Sequence, residues 1–111
     1  MASKHVEQYY RIQSLAEQLG SESAKVMAAY VTLQQEALAS GALSNHIKQL
    51  MTLGIAISMR CDESIAMHVH NALQAGATRN EILETISVAI LMAGAPAVAY
   101  GSEALEALNQ F

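Results

Sequence analysis

Ala72-Leu73-Gln74-Ala75-Gly76-Ala77-Thr78-Arg79-Asn80-Glu81-Ile82 is the stretch whose reading decides the fold. Thr78 with Glu81 three residues later has the form of a capping box. In that arrangement the hydroxyl accepts from the backbone N–H three residues on, and the carboxylate reaches back to the first residue's own N–H. Gly76 supplies a stop for the helix before it. The segment therefore joins two helices through a short turn. Downstream, Ile82, Leu83, Ile86, Ile90 and Met92 carry a fifth helix to a break at Gly94, and Pro96 opens a sixth ending near Asn109. Upstream, a fourth helix begins at or just before Cys61, where Asp62 and Glu63 suit the positive end of its dipole. Ser44 caps a third helix that carries Ile47, Leu50, Met51, Leu53, Ile55 and Ile57 to about Ser58. A second runs from about Glu22 to Ala39, with Val26, Met27, Tyr30, Leu33, Ala37 and Leu38 on its apolar side. The first carries Val6, Tyr9, Ile12 or Gln13, Ala16 and Leu19, with a stop at Gly20. No strand-like alternation competes with these periods. The expected architecture is an all-α, six-helix domain over residues 1–111, with its core in the third to sixth helices.

Composition narrows the function classes. The 111 residues are 52% hydrophobic and 14% charged, an apolar surplus that a chain of this size can hardly cover alone. The third and fifth helices are apolar on almost every face, which implies burial between neighbouring helices or subunits. A homo-oligomer no smaller than a trimer is expected. A net charge of −4 with six Lys and Arg argues against nucleic acid and against an anionic membrane surface. The most apolar stretch, Ile86 to Gly101, is interrupted by Ser87, Gly94 and Pro96 and is too short to span a bilayer. The first residues lack the pattern of an export signal. The one cysteine, Cys61, cannot form an internal disulfide and fits a reducing cytoplasm.

Cys61, Ser64 and His68 lie at i, i+3 and i+7, along one stripe of the fourth helix. A thiol at a helix N-terminus meets exposed backbone N–H groups and the positive end of the dipole, which favours the thiolate. His68 lies two turns on, suited to a proton relay through Ser64 or water and badly placed for a direct bond. The competing reading makes Cys61 a small core hydrophobe and His68 an ordinary core or surface histidine. His70 points to another face and reads as solvated. His5 and His46 sit at polar helix ends and carry no signal. Metal binding by Cys61, His68 and His70 would mix helix faces and lacks further ligands at useful spacing, so neither metal nor cofactor is expected. A small apolar pocket is expected near Cys61 and His68.

Five segments together resemble the alkylhydroperoxidase D-like, or carboxymuconolactone decarboxylase, family: residues 38–44, 49–56, 61–68, 72–82, and 92–97 continuing through 106–108. They cover about three quarters of the chain in the family's order. The resemblance implies an all-α, six-helix alkylhydroperoxidase D-like domain that assembles as a trimer or hexamer. Active members of that family carry Glu-x11-Cys-x2-Cys-x3-His, in which two cysteines cycle between dithiol and disulfide while Glu and His manage protons. Aligned on that pattern, Cys61 takes the first cysteine position, His68 the histidine, Ser64 the second cysteine and Gln49 the glutamate. Ser64 cannot close a disulfide and Gln49 cannot accept a proton as a carboxylate would.

The resemblance thus implies a thiol-dependent peroxidase of peroxiredoxin type with a single-cysteine Cys-x-x-Ser site. It would act on hydroperoxides and need an external thiol or redox protein partner. Two alternatives stand beside it. One is a decarboxylase-like lyase acting on a carboxylated lactone through Met67-His68, with Arg60 or Arg79 balancing the substrate charge against Asp62 and Glu63. The other is a non-catalytic oligomeric scaffold.

Overall fold

In the computed structural model, which describes residues 4–111, the capping box forms as its sequence requires. The Glu81 N–H donates to Thr78 Oγ1 at 3.1 Å and the Thr78 N–H donates to Glu81 Oε1 at 2.8 Å. That same carboxylate oxygen lies 2.8 Å from His46 Nε2. The Thr78 N–H first, and the His46 ring after it, hold the Glu81 carboxyl below the usual carboxylate range. His46, which carried no signal in the sequence, thus ties the start of the third helix to the start of the fifth.

The six helices are α1 (Lys4–Glu22), α2 (Ala24–Leu38), α3 (Asn45–Ser58), α4 (Asp62–Gln74), α5 (Arg79–Ala93) and α6 (Pro96–Gln110). Ser44 caps α3 by accepting from the Ile47 N–H, and Pro96 occupies the first turn of α6. The first helix runs past Gly20 to Glu22, because a glycine inside a helix weakens it without ending it when the following residues still satisfy the backbone. The α4–α5 junction is a Schellman turn: the Gly76 N–H donates to Leu73 O and the Ala77 N–H to Ala72 O, with Gly76 at φ 96°.

The core is made by α3 to α6. Leu53 and Ile57 of α3, Ile65 and Val69 of α4, and Ile82 of α5 are fully buried, and Ala97, Ala104 and Ala107 bring α6 close to them. Each large aliphatic side chain buried this way contributes about 1.5–3 kcal/mol. A Cβ built on Gly101 of α6 would lie 2.8 Å from Ile86 Cγ2, so the α5–α6 crossing requires glycine there. The N-terminal half of α1 lies on α4 and α6, whereas α2 packs on α1 and only the edge of α3.

Much of the apolar surface remains uncovered on the single chain. Val26, Tyr30 and Leu33 of α2 are 70%, 51% and 62% exposed, and α2 buries no residue. Of the apolar positions expected on α1, Ile12 is half-buried, Gln13 faces solvent, and Ala16 and Leu19 are exposed. Between α3 and α5 runs an open groove of about 620 Å³ lined by Ile47, Leu50, Met51, Ile55, Val88 and Met92, among others. Among the described residues no helix is long and apolar enough to cross a membrane.

Candidate functional site

The backbone between α3 and α4 fixes the cysteine. The Arg60 N–H donates to Ile57 O at 3.2 Å and the Cys61 N–H donates to Ala56 O at 2.9 Å, which is again the pairing of a Schellman turn. Here the left-handed position is taken by Arg60, at φ 59°, where glycine is usual. Cys61 therefore ends α3 and caps α4, which starts at Asp62, one residue later than the earliest start expected. Both ends of this residue are tethered, since its carbonyl accepts from the Ser64 N–H at 3.0 Å.

Cys61 is an exposed, free thiol. That removes the reading of Cys61 as a core hydrophobe. Its Sγ does not accept from the backbone N–H groups that open α4. Its partner is the Ser64 hydroxyl, which lies 2.8 Å from Sγ and 3.1 Å from the Cys61 carbonyl, so one proton is shared between two acceptors of the same residue. Spacing of three along the helix places the hydroxyl over the sulfur.

His68 is half-buried on α4, and its Nδ1 is buried with no hydrogen-bond partner among the described residues. Burial pushes its pKa below the ordinary histidine value, so the ring is neutral at neutral pH. Two helical turns, about 10 Å of axis, separate it from position 61, and only a water chain could carry a proton between them. Gln49 stands farther off. The nine residue steps of α3 from Gln49 to Ser58 take up about 13 Å of axis. Its side chain lines a polar hollow with Gln34, Gln35, Asn45 and Asn71, on the far side of His68 from the thiol. The four aligned residues therefore divide: Cys61 and Ser64 meet, His68 is within relay distance, and Gln49 is not brought to the sulfur.

Two other expectations are corrected. The apolar groove is not at the thiol. It lies between α3 and α5, and neither Cys61 nor His68 lines it, because both sit on the α4 side of α3. His70 is not solvated. It is half-buried, with its ring 4.2 Å from Tyr9 and 5.0 Å from Phe111, since α1 and the end of α6 fold over that face of α4. His5, at a polar helix end and without signal in the sequence, is 2% exposed against α6.

The carboxymuconolactone decarboxylase family model matches residues 24–107, from the start of α2 almost to the end of α6. The chain belongs to this family. An uncharacterized protein of Cupriavidus necator is 32% identical over 94 residues, 82% of this chain and 83% of its own length. A carboxymuconolactone decarboxylase family protein of Legionella pneumophila, solved in an apo form, superposes with a TM-score of 0.93 at 31% identity, over 97% of this chain and 96% of its own. A family member from Thermotoga maritima, for which an antioxidative role has been suggested, superposes with a TM-score of 0.69 at 26% identity over 75% of this chain and 86% of its own. The family's helical fold thus extends through α1, and the family bundle is the frame in which Cys61, Ser64 and His68 are held.

Proposed function

We propose that the protein is a single-cysteine, thiol-dependent hydroperoxide reductase with Cys61 as its nucleophile. The observation that carries this reading is the Ser64 hydroxyl 2.8 Å from an exposed Cys61 sulfur held by backbone bonds on both sides. The thiolate is the nucleophile, and the hydroxyl is a donor placed to hydrogen-bond it. The thiolate attacks the distal oxygen of a hydroperoxide, the O–O bond breaks, and the alkoxide leaves as alcohol after taking a proton. Neutral His68 relays that proton through water. The sulfenic acid then condenses with an external thiol, releasing water and leaving a mixed disulfide, and a second thiol returns Cys61 to its reduced form as the external pair leaves oxidised. Ser64 cannot resolve the intermediate, so the external thiol is obligatory. The suggested antioxidative role of the Thermotoga maritima relative supports the same reading.

The lyase alternative needs a cation for a carboxylate substrate. Arg79 donates to Asn109 at 2.7 Å on the α5–α6 side, which leaves Arg60 alone beside Asp62 and Glu63, an unfavourable field for an anion. The working form is a homo-oligomer of at least three chains, supported by the uncovered apolar side of α2 and the α3–α5 groove. Peroxide consumption measured with and without a small dithiol tests the activity: turnover is expected only with the dithiol and only when Cys61 is present. Equal consumption by a folded Cys61→Ser variant would overturn it. Light scattering at micromolar concentration tests the assembly, and a stable monomer contradicts it.

A further inference from the structure

Where α1 begins and α6 ends, three ligand-type side chains converge away from Cys61. His5, in the first turn of α1, is 2% exposed, and neither ring nitrogen has a hydrogen-bond partner among the described residues. Its Nε2 lies 3.2 Å from Glu103 Oε2 and 3.6 Å from Glu106 Oε1, close to both carboxylates yet in hydrogen-bond alignment with neither. The Glu103 oxygen is itself buried and accepts no hydrogen bond from the described residues. All three ligand atoms lie within 4.8 Å of one another.

These distances match a shared cation better than a pairwise contact. A tetrahedral centre with bonds of roughly 2.1 Å has ligand–ligand edges of about 3.4 Å, and the two measured edges bracket that value. A second layer of bonds holds the ligands in place. Gln110 Oε1 accepts from the backbone N–H of His5 at 2.8 Å while Gln110 Nε2 donates to Glu106 Oε1 at 3.3 Å, so one side chain ties the first turn of α1 to a carboxylate of α6. The spacing of three between Glu103 and Glu106 puts both carboxylates on one face of α6. The only cation near them among the described residues is Lys4, 3.6 Å from Glu103 Oε2 and 62% exposed, which balances one of the two negative charges and leaves the ring nitrogen unsatisfied.

We infer that His5, Glu103 and Glu106 form a binding site for a zinc-like divalent transition-metal ion that clamps the start of α1 onto α6, with water in the remaining position. One imidazole nitrogen with two carboxylate oxygens suits such an ion better than calcium or magnesium, which take oxygen donors. The half-exposed Glu106 leaves the ion a route from solvent, and the buried ring supplies the anchor. The expected role is structural, because α1 otherwise rests on α4 and α6 through only its N-terminal half.

Calorimetric titration of the 111-residue chain with zinc chloride, on a Cys61→Ser background that removes the competing thiol, tests the inference. One equivalent per chain is expected, with binding weakened about tenfold or more by Glu106→Gln and by Glu103→Gln, and a zinc-dependent rise in melting temperature that both variants lose. Glu106→Gln changes a half-exposed side chain and preserves the fold, so its result stands even if His5→Gln unfolds the protein. Absence of zinc binding, or binding unchanged by both glutamate substitutions, overturns the site and leaves a buried histidine beside two acids. Neither result bears on Cys61, whose chemistry is read separately.

Discussion

Replacing Ser64 by alanine removes the hydroxyl that lies 2.8 Å from Cys61 Sγ, while the backbone bond from the Ser64 N–H to the Cys61 carbonyl stays in place. A hydrogen bond to a charged acceptor contributes about 1.5–3 kcal/mol, and exposure at the start of α4 reduces this to about 1 kcal/mol. With a factor of ten for each 1.4 kcal/mol or so, that bond is worth about fivefold. A sulfur relieved of it is also the better nucleophile, along a Brønsted slope of about 0.4–0.5, which returns about twofold. The net effect at neutral pH is a Cys61 that reacts about two- to threefold more slowly in the variant. Stopped-flow measurement with a small disulfide reagent at neutral pH reads the difference. Equal rates, or a faster variant, would refute the argument that the Ser64 hydroxyl assists the sulfur.

Three further outcomes follow from the packing. Gly101→Ala gains about 1 kcal/mol of helix propensity but puts a methyl group 2.8 Å from the stiff, buried Ile86 Cγ2, at an overpacking cost of about 1–3 kcal/mol. Urea unfolding should show a net loss of about 1 kcal/mol, and a stabilised variant contradicts the close α5–α6 crossing. Arg60→Gly relieves the left-handed backbone at φ 59°, a strain of about 1–2 kcal/mol partly offset by glycine's greater freedom when unfolded. Its melting temperature should rise, and a fall would mean that the Arg60 side chain holds the turn. For His68 the folded pKa lies below the ordinary 6.5, so the unfolded chain takes up the proton first as pH falls. Its contribution is fully present above that value and is lost as pH drops from it toward the folded pKa; His68→Asn should flatten this part of the stability–pH curve, and an unchanged slope would show that the buried ring is not its source.

The fold was legible because its signals are local. Thr78 and Glu81, Ser44, Pro96 and Gly76 each act within a turn of themselves, and all five operate as the sequence implied. The Cys61–Ser64 contact was legible for the same reason, since spacing of three on a helix fixes the neighbour. What failed depends on distant chain. His70 gave no hint of Tyr9 and Phe111, which come from α1 and the chain end, and His5 gave none of Glu103 and Glu106. The spacing of the two glutamates was the available signal, without indication of which helix would face them. The groove was misplaced because an apolar helix shows that it is covered and leaves open by what. Gln49 is the instructive intermediate: it stands at the glutamate position of the family pattern, yet the antiparallel course of α3 and α4 sets it in a hollow shared with Asn71, which neither Cys61 nor His68 lines.

The most direct test of the central claim is the rate at which native Cys61 reacts with a hydroperoxide at neutral pH, followed by mass spectrometry with a sulfenic-acid trap and compared with free cysteine. A reactive site predicts a faster rate than free cysteine, a trapped sulfenic acid confined to Cys61, and its replacement by a mixed disulfide when a small thiol is added. A rate no greater than that of free cysteine, or oxidation that begins only when the protein unfolds, would contradict it.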